Sequence, residues 1–229
     1  SPSQAAFYTT VYEHGLGQFF YENNIDFRDR IRFPVGQADE PGAIPWSPAR
    51  RKVLVPVGGG KDSAVTIELL RQSKVSFDLL RVGAHPLIDR FSKTAKGDLL
   101  SVERTISPAL LALNAEGAWN GHVPVTAYHH FLDLLLCLVY GYRTTVFSNE
   151  RSAEYGSLLY CGMDINHQWS KGLEFERLFQ RLVRETVTGD IHIFSLLRPL
   201  SELHITTLFT EHPQYFPVFT SCNKNWKLL

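Results

Sequence analysis

Residues 53–70 read VLVPVGGGKDSAVTIELL, an apolar run that meets three consecutive glycines and passes at once into a segment of helical spacing. The run over 53–57, bounded by glycine, predicts a buried strand with Pro56 at its end, where a ladder amide is dispensable. Gly58, Gly59 and Gly60 carry no Cβ and accept positive φ, so backbone amides can approach an anion there. The helix predicted over 62–72 adds unpaired N–H groups and a positive dipole end. Strand, glycine turn and helix together form a phosphate cradle. Lys61 brings a positive charge and Ser63 a hydroxyl donor. Asp62 suits the helix start and is the candidate ligand for a magnesium ion bridging phosphates. The opposing reading is a βα turn rich in glycine for packing alone.

Spacing excludes two familiar loops. In G-x-x-x-x-G-K-[ST] a glycine stands five residues before the second one, but position 55 is valine, and Asp62 follows the lysine. The pattern G-x-G-x-x-G fails as well, because Ser63 stands where its last glycine belongs.

Outward from the turn, strand-like and helix-like segments alternate. Residues 77–82 (FDLLRV) and 144–147 (TTVF) read as strands, and 191–197 (IHIFSLL) as a last one. Residues 126–140 predict a helix buried on most sides, while 173–187 place Phe175, Leu178, Phe179, Leu182 and Val183 on one stripe. Ser201 is placed to cap a helix running through 211. Parallel strands need crossovers, so this order predicts an α/β fold, a mostly parallel sheet with helices on both faces. Ligands of such sheets bind beyond the carboxyl ends of the strands. Ahead of the turn, residues 3–22 predict a helical extension interrupted near Gly15 and Gly17. Residues 34–50 hold four prolines and two glycines and predict a connector. The expected division is therefore an extension plus connector over 1–50 and a nucleotide-binding domain over 51–229.

Composition narrows the function classes. A chain of 229 residues with 44% hydrophobic residues, 15 Phe, 9 Tyr and 4 Trp has the apolar area for a core and is not a disordered chain. Lys plus Arg and Asp plus Glu number 23 each, so no basic field draws nucleic acid or an anionic membrane, and an anion site must be built locally. Cys137, Cys161 and Cys222 stand far apart without a C-x-x-C pair, which fits a reducing cytoplasm better than a disulfide framework. The apolar run over 131–140 is too short to span a bilayer, which takes about 20 residues. Met163 is the sole methionine, so Ser1 is not an initiator and the chain is expected to be a piece of a longer protein rather than a processed one.

GGGKDS resembles the S-G-G-x-D-S pyrophosphate loop of the PP-loop ATP pyrophosphatase superfamily. Gly58 stands where that superfamily has serine, which removes one hydroxyl contact and leaves the backbone cradle. VPVTAYHHFLDLLLCLVYGY before TTVFSNE, RPLSELHI, and FTSCN resemble further segments of the same superfamily. HGLGQF, RIRFP, VPVGGGKDSAVTIELL, SNERSA and NHQWSKGLEFE, spanning 14–176, together resemble the family of ATP-dependent UDP-N-acetylmuramoyl-L-alanyl-L-glutamate epimerases of peptidoglycan synthesis. This resemblance implies the adenine-nucleotide α-hydrolase-like, Rossmann-type sandwich, with ATP and Mg2+ as cofactors, and a C-terminal end truncated in this chain. It further implies epimerisation of the terminal L-glutamate of a UDP-linked muramoyl dipeptide through an acyl-adenylate, in the cytoplasm, with pyrophosphate held by Gly58 to Ser63. Two alternatives stay open. One is another adenylating enzyme of the superfamily, amidating or thiolating; the other is a non-catalytic nucleotide-binding module.

Other polar clusters are candidates for the site. Ser148-Asn149-Glu150-Arg151-Ser152 follows a predicted strand. Glu150 is a candidate base or magnesium ligand, Arg151 a candidate phosphate or carboxylate ligand, and Asn149 and Ser152 candidate substrate contacts. The plainer reading is a polar loop with a capping serine. Asn166 is a candidate substrate contact, and His167 and Lys171 candidates for proton transfer. The plainer reading there has Ser170 capping the helix that follows. His129 and His130 precede Asp133 on the buried helix and read first as satisfied core groups. No metal-ligand spacing accompanies them.

Overall fold

The protein is described by a computed structural model over residues 1–36, 42–156 and 158–220. Segment 221–223, which includes Cys222, and residues 37–41 of the connector lie outside the described residues.

Ser1 opens helix α1 (Pro2–Gly15) with a capping box, its hydroxyl accepting from the Gln4 amide while the Gln4 side chain accepts from the chain's amino terminus. The chain breaks at Leu16, as the two glycines predict, and resumes as α2 (Gly17–Glu22). Next come β1 (Val53–Pro56), α3 (Lys61–Gln72), β2 (Phe77–Val82), α4 (Pro86–Ala95), β3 (Asp98–Val102), α5 (Pro108–Ala115), α6 (Val125–Tyr140) and β4 (Thr144–Phe147). The hairpin β5 (Leu158–Tyr160) and β6 (Met163–Ile165) follows, then α7 (Leu173–Thr186), β7 (His192–Ser195) and α8 (Glu202–Thr210). Pro56 ends β1, and the Ser201 hydroxyl caps α8 by accepting from the His204 amide. The stretch between β2 and α6 holds a helix, a strand and a second helix that periodicity does not announce. The start of α7 differs too: Gly172 precedes its first turn, while Ser170 lies buried in a 3-10 turn, Trp169–Lys171. The Leu173 amide instead donates to Glu154 Oε1 at 2.8 Å, so a carboxylate 19 positions upstream does the capping.

Among the described residues five strands form one sheet in the order β3-β2-β1-β4-β7, and β1 runs parallel to both β2 and β4, as β2 does to β3. Chain contacts divide the molecule into two units. Among the described residues, the sheet unit comprises 48–105, 137–152 and 193–220. Its core joins Val55, Ile67, Leu79, Phe91, Val146 and Leu197, all nearly or fully buried. Each such side chain contributes roughly 1.5–3 kcal/mol by leaving water. Asp78, buried in β2, accepts from Lys52 Nζ at 2.7 Å and from the Tyr142 hydroxyl at 2.8 Å, so its charge is paired.

Among the described residues, the helical unit comprises 1–36, 42–47, 106–136, 153–156 and 158–192. Phe7 of α1 meets Phe131 of α6 edge to face and Phe175 and Phe179 of α7 at a tilt, which ties three helices through one aromatic cluster. The His130 ring packs edge-on against Phe175 and Phe179, and its Nδ1 lies 2.8 Å from the Thr126 carbonyl. It is a core group, as the plainer sequence reading has it.

Candidate functional site

The strand order reverses between β1 and β4: β2 and β3 extend the sheet on one side of β1, β4 and β7 on the other. In open α/β sheets the ligand crevice forms at that switch point. The Gly58–Gly60 turn leaves β1 there, and the loop after β4 leaves the adjacent strand.

Gly59 has φ +75°, the left-handed conformation that a side chain disfavours, and Gly60, the residue before the first turn of α3, brings no capping side chain of its own. Among the described residues, a Cβ at Gly58 would meet nothing within 4 Å, so they leave that side of the turn open to a ligand. The Thr220 amide donates to the Gly59 carbonyl at 2.8 Å, and a Cβ on Gly60 would come within 3.3 Å of the Thr220 carbonyl. Backbone crossing from the C-terminal side therefore holds the turn in shape.

Lys61 Nζ donates to Asp62 Oδ1 at 2.7 Å and lies 2.9 Å from Glu202 Oε1, at the first residue of α8. Burial alone would lower the Lys61 ammonium, but its bonds to the two carboxylates outweigh that and raise it. Burial raises the Asp62 carboxyl; Lys61 opposes the shift, and the charges of Glu202 and Glu150 add to it. Asp62 thus feels the charges of Lys61, Glu202 and Glu150 together. Among the described residues no three His, Cys, Asp or Glu side chains gather closely enough to hold a metal by themselves.

The loop after β4 is bound to the segment after β7. Asn149 Nδ2 donates to Ser195 Oγ at 3.0 Å, the Arg151 amide to the Leu200 carbonyl at 3.2 Å, and the Arg198 guanidinium to the Glu150 carbonyl at 3.4 Å. The buried Glu150 carboxylate accepts from the Ser152 amide at 2.7 Å and also from the Ser152 hydroxyl. Glu150 therefore caps the 3-10 turn Arg151–Glu154, a structural duty beside any chemical one. Arg151 is exposed.

Asn166, His167 and Lys171 lie in the helical unit. Asn166 is committed at both ends of its amide, donating to the Ala153 carbonyl and accepting from the Gln168 amide, each at 2.8 Å. The His167 ring is exposed and faces the His122 ring edge-on at 5.9 Å. Burial lowers the His122 imidazole, the charges of His167 and Lys171 lower it further, and Glu22 opposes them. Spacing and motif single out neither His122 nor Glu202. Glu202 lies within RPLSELHI, next to the cap Ser201, and His122 carries no local signal.

Residues 1–196 match the family model of the MurL N-terminal domain. The chain belongs to the MurL N-terminal domain family. This MurL N-terminal domain is 43% identical over 225 residues to UDP-N-acetyl-alpha-D-muramoyl-L-alanyl-L-glutamate epimerase of Xanthomonas oryzae pv. oryzae, covering 98% of the chain and 50% of the relative. It is 38% identical over 227 residues to the protein of the same name from Salinispora tropica, covering 99% and 50%. The chain spans about half the length of the curated relatives it matches. Among solved structures, a predicted subunit of tRNA methyltransferase from Methanocaldococcus jannaschii aligns at 16% identity and a TM-score of 0.45, over 70% of this chain and 76% of that one.

Proposed function

We propose that this MurL N-terminal domain carries the nucleotide site of an ATP-dependent epimerase that converts the terminal L-Glu of UDP-MurNAc-L-Ala-L-Glu to D-Glu, in the cytoplasm, for peptidoglycan synthesis. One observation carries the reading: a glycine cradle at the switch point of the sheet, in a chain whose relatives at 38–43% identity bear that epimerase name. The residues fit the groups they would hold. The turn at Gly58, open among the described residues, and the start of α3, where Gly60 offers no capping side chain, suit pyrophosphate oxygens, which the amides of 58–63 and the Ser63 hydroxyl would bind. Asp62 would share a magnesium ion with phosphate oxygens, the usual arrangement for an ion that dehydrates reluctantly.

ATP, when bound, supplies an adenylyl group that turns the free α-carboxylate of the glutamate into an activated acyl group, with pyrophosphate as the leaving group. The reason to activate is electrostatic: removing an α-proton beside a carboxylate would place a second negative charge next to the first. Lys61, now held by Asp62 and Glu202, would lend its charge to the departing pyrophosphate, where negative charge would develop. A base takes the α-proton from one face, and an acid returns a proton to the other. Glu150, His167 and Lys171 are the candidates for these two roles. Water finally cleaves the activated acyl group, releasing the D-glutamyl carboxylate and AMP. Asn149, Arg151, Ser152 and Asn166 are the residues proposed to contact substrate, Arg151 through a carboxylate or phosphate.

The test is to incubate the complete protein with ATP, Mg2+ and UDP-MurNAc-L-Ala-L-Glu, following AMP, pyrophosphate and the configuration of the glutamate after hydrolysis. Pyrophosphate with D-glutamate is the expected result. Pyrophosphate with the L-configuration unchanged overturns the substrate assignment, and no ATP cleavage overturns the reading as a whole.

A further inference from the structure

Helix α5, Pro108–Ala115, has the sequence PALLALNA and not one buried residue. Leu110, Leu111 and Leu113 are 51%, 66% and 51% exposed, and Trp119 just beyond the helix is 70% exposed. A two-turn helix is marginal in water by itself. One that is apolar nearly all round belongs in a core rather than on a surface. Its local geometry is nonetheless fixed: Ser107 Oγ accepts from the Ala109 amide at 3.3 Å, and Pro108 suits the first turn. Contiguous apolar exposure of this kind marks an interaction surface.

We propose that this face, from Leu110 to Trp119, is the docking site for the remaining half of the full-length polypeptide. The chain matches a family model of an N-terminal domain and half the length of its relatives, so those relatives carry a second portion of similar size. A tethered portion meets the face at millimolar effective concentration, which favours it over a second copy that must arrive from solution. A membrane surface is the poorer fit. Helices that lie in a lipid interface set Lys and Arg on a polar face, and residues 106–125 contain neither. Lacking charges of its own over 107–115, the face calls for an apolar partner surface with Trp119 as its aromatic anchor. This docking does not depend on the reaction proposed above.

The experiment uses the full-length protein with the photoreactive residue p-benzoylphenylalanine in place of Leu111 in one variant and of Trp119 in another. Both positions are exposed here, and two separate variants guard against a local folding defect in either. After irradiation, peptide mapping is expected to show the label joined to a peptide from beyond these 229 residues, in a product that keeps the mass of one chain. A covalent dimer, a cross-link confined to residues 1–229, or no cross-link above the dark control at either position would overturn the proposal.

Discussion

Lys61 Nζ lies 2.9 Å from Glu202 Oε1, so the one cation of the glycine turn is tied to the first residue of α8. The second carboxylate on the same ammonium is Asp62, at 2.7 Å. A polyphosphate entering the turn competes with Glu202 for that lysine. Replacing Lys61 with Met is expected to slow pyrophosphate release by about 10²–10³-fold, the range for removing one donor aimed at developing charge. Glu202→Gln is expected to do the reverse to affinity, lowering KM for ATP a few-fold while Tm stays nearly constant, because Glu202 is more than half exposed and such pairs stabilise little. A raised KM in Glu202→Gln would mean that Glu202 itself takes part in holding the nucleotide.

Asp62 is the residue on which the turn's chemistry and its electrostatics conflict. Burial and the charges of Glu202 and Glu150 hold its carboxyl above the ordinary range, yet a magnesium ligand must be ionised. The acid limb of kcat/KM is therefore expected above the usual carboxylate range of about 3.9, and turnover falls as pH drops through it. Asp62→Asn is expected to abolish pyrophosphate release while circular dichroism and Tm stay close to those of the parent, since the neutral isostere gives up the pairing with Lys61 and the repulsion from Glu202 and Glu150 together. Unchanged turnover in Asp62→Asn would remove it from the site.

Much of this arrangement is legible in the sequence because it is local. The strands over 77–82 and 144–147, the glycine turn and the Ser201 cap all follow from residues adjacent in the chain. The hairpin β5–β6 is not legible for a specific reason. Its turn is Cys161-Gly162, with φ +51° and +82°, in a place where Asn-Gly or Asp-Gly is the usual signal. Residues meeting across long separations are hidden in the same way. Glu202 reaches Lys61 across 141 positions, and His122 meets His167 across 45, so no spacing rule pairs them. The start of α7 is misplaced by the Ser170 rule because its capping group, Glu154, belongs to an earlier turn.

That capping group gives a prediction for stability. Glu154 Oε1 accepts from the Leu173 amide and sets a negative charge at the start of α7, where the helix dipole favours it. Glu154→Ala is expected to lose about 1 kcal/mol, the typical worth of an N-terminal cap, and to lower Tm by roughly 2–4 °C for a chain of this size. Glu154→Gln retains an acceptor and should lose less. Equal losses in both variants would assign the effect to charge rather than to the hydrogen bond.

Asp133 of α6 is fully buried, and among the described residues neither of its oxygens has a hydrogen-bond partner. Burial pushes its carboxyl well above the usual range. The sign of the resulting pH dependence follows from proton counting. Between the unfolded value, about 3.9, and the raised folded value, the native state binds the extra proton, so stability falls as pH rises across that interval. Asp133→Asn keeps the shape and cannot ionise. It is therefore expected to unfold at a higher urea concentration than the parent at pH 8 and to match it near pH 4, with the intervening slope removed. Parallel pH profiles for the two proteins would show that the Asp133 carboxylate is solvated or paired in solution.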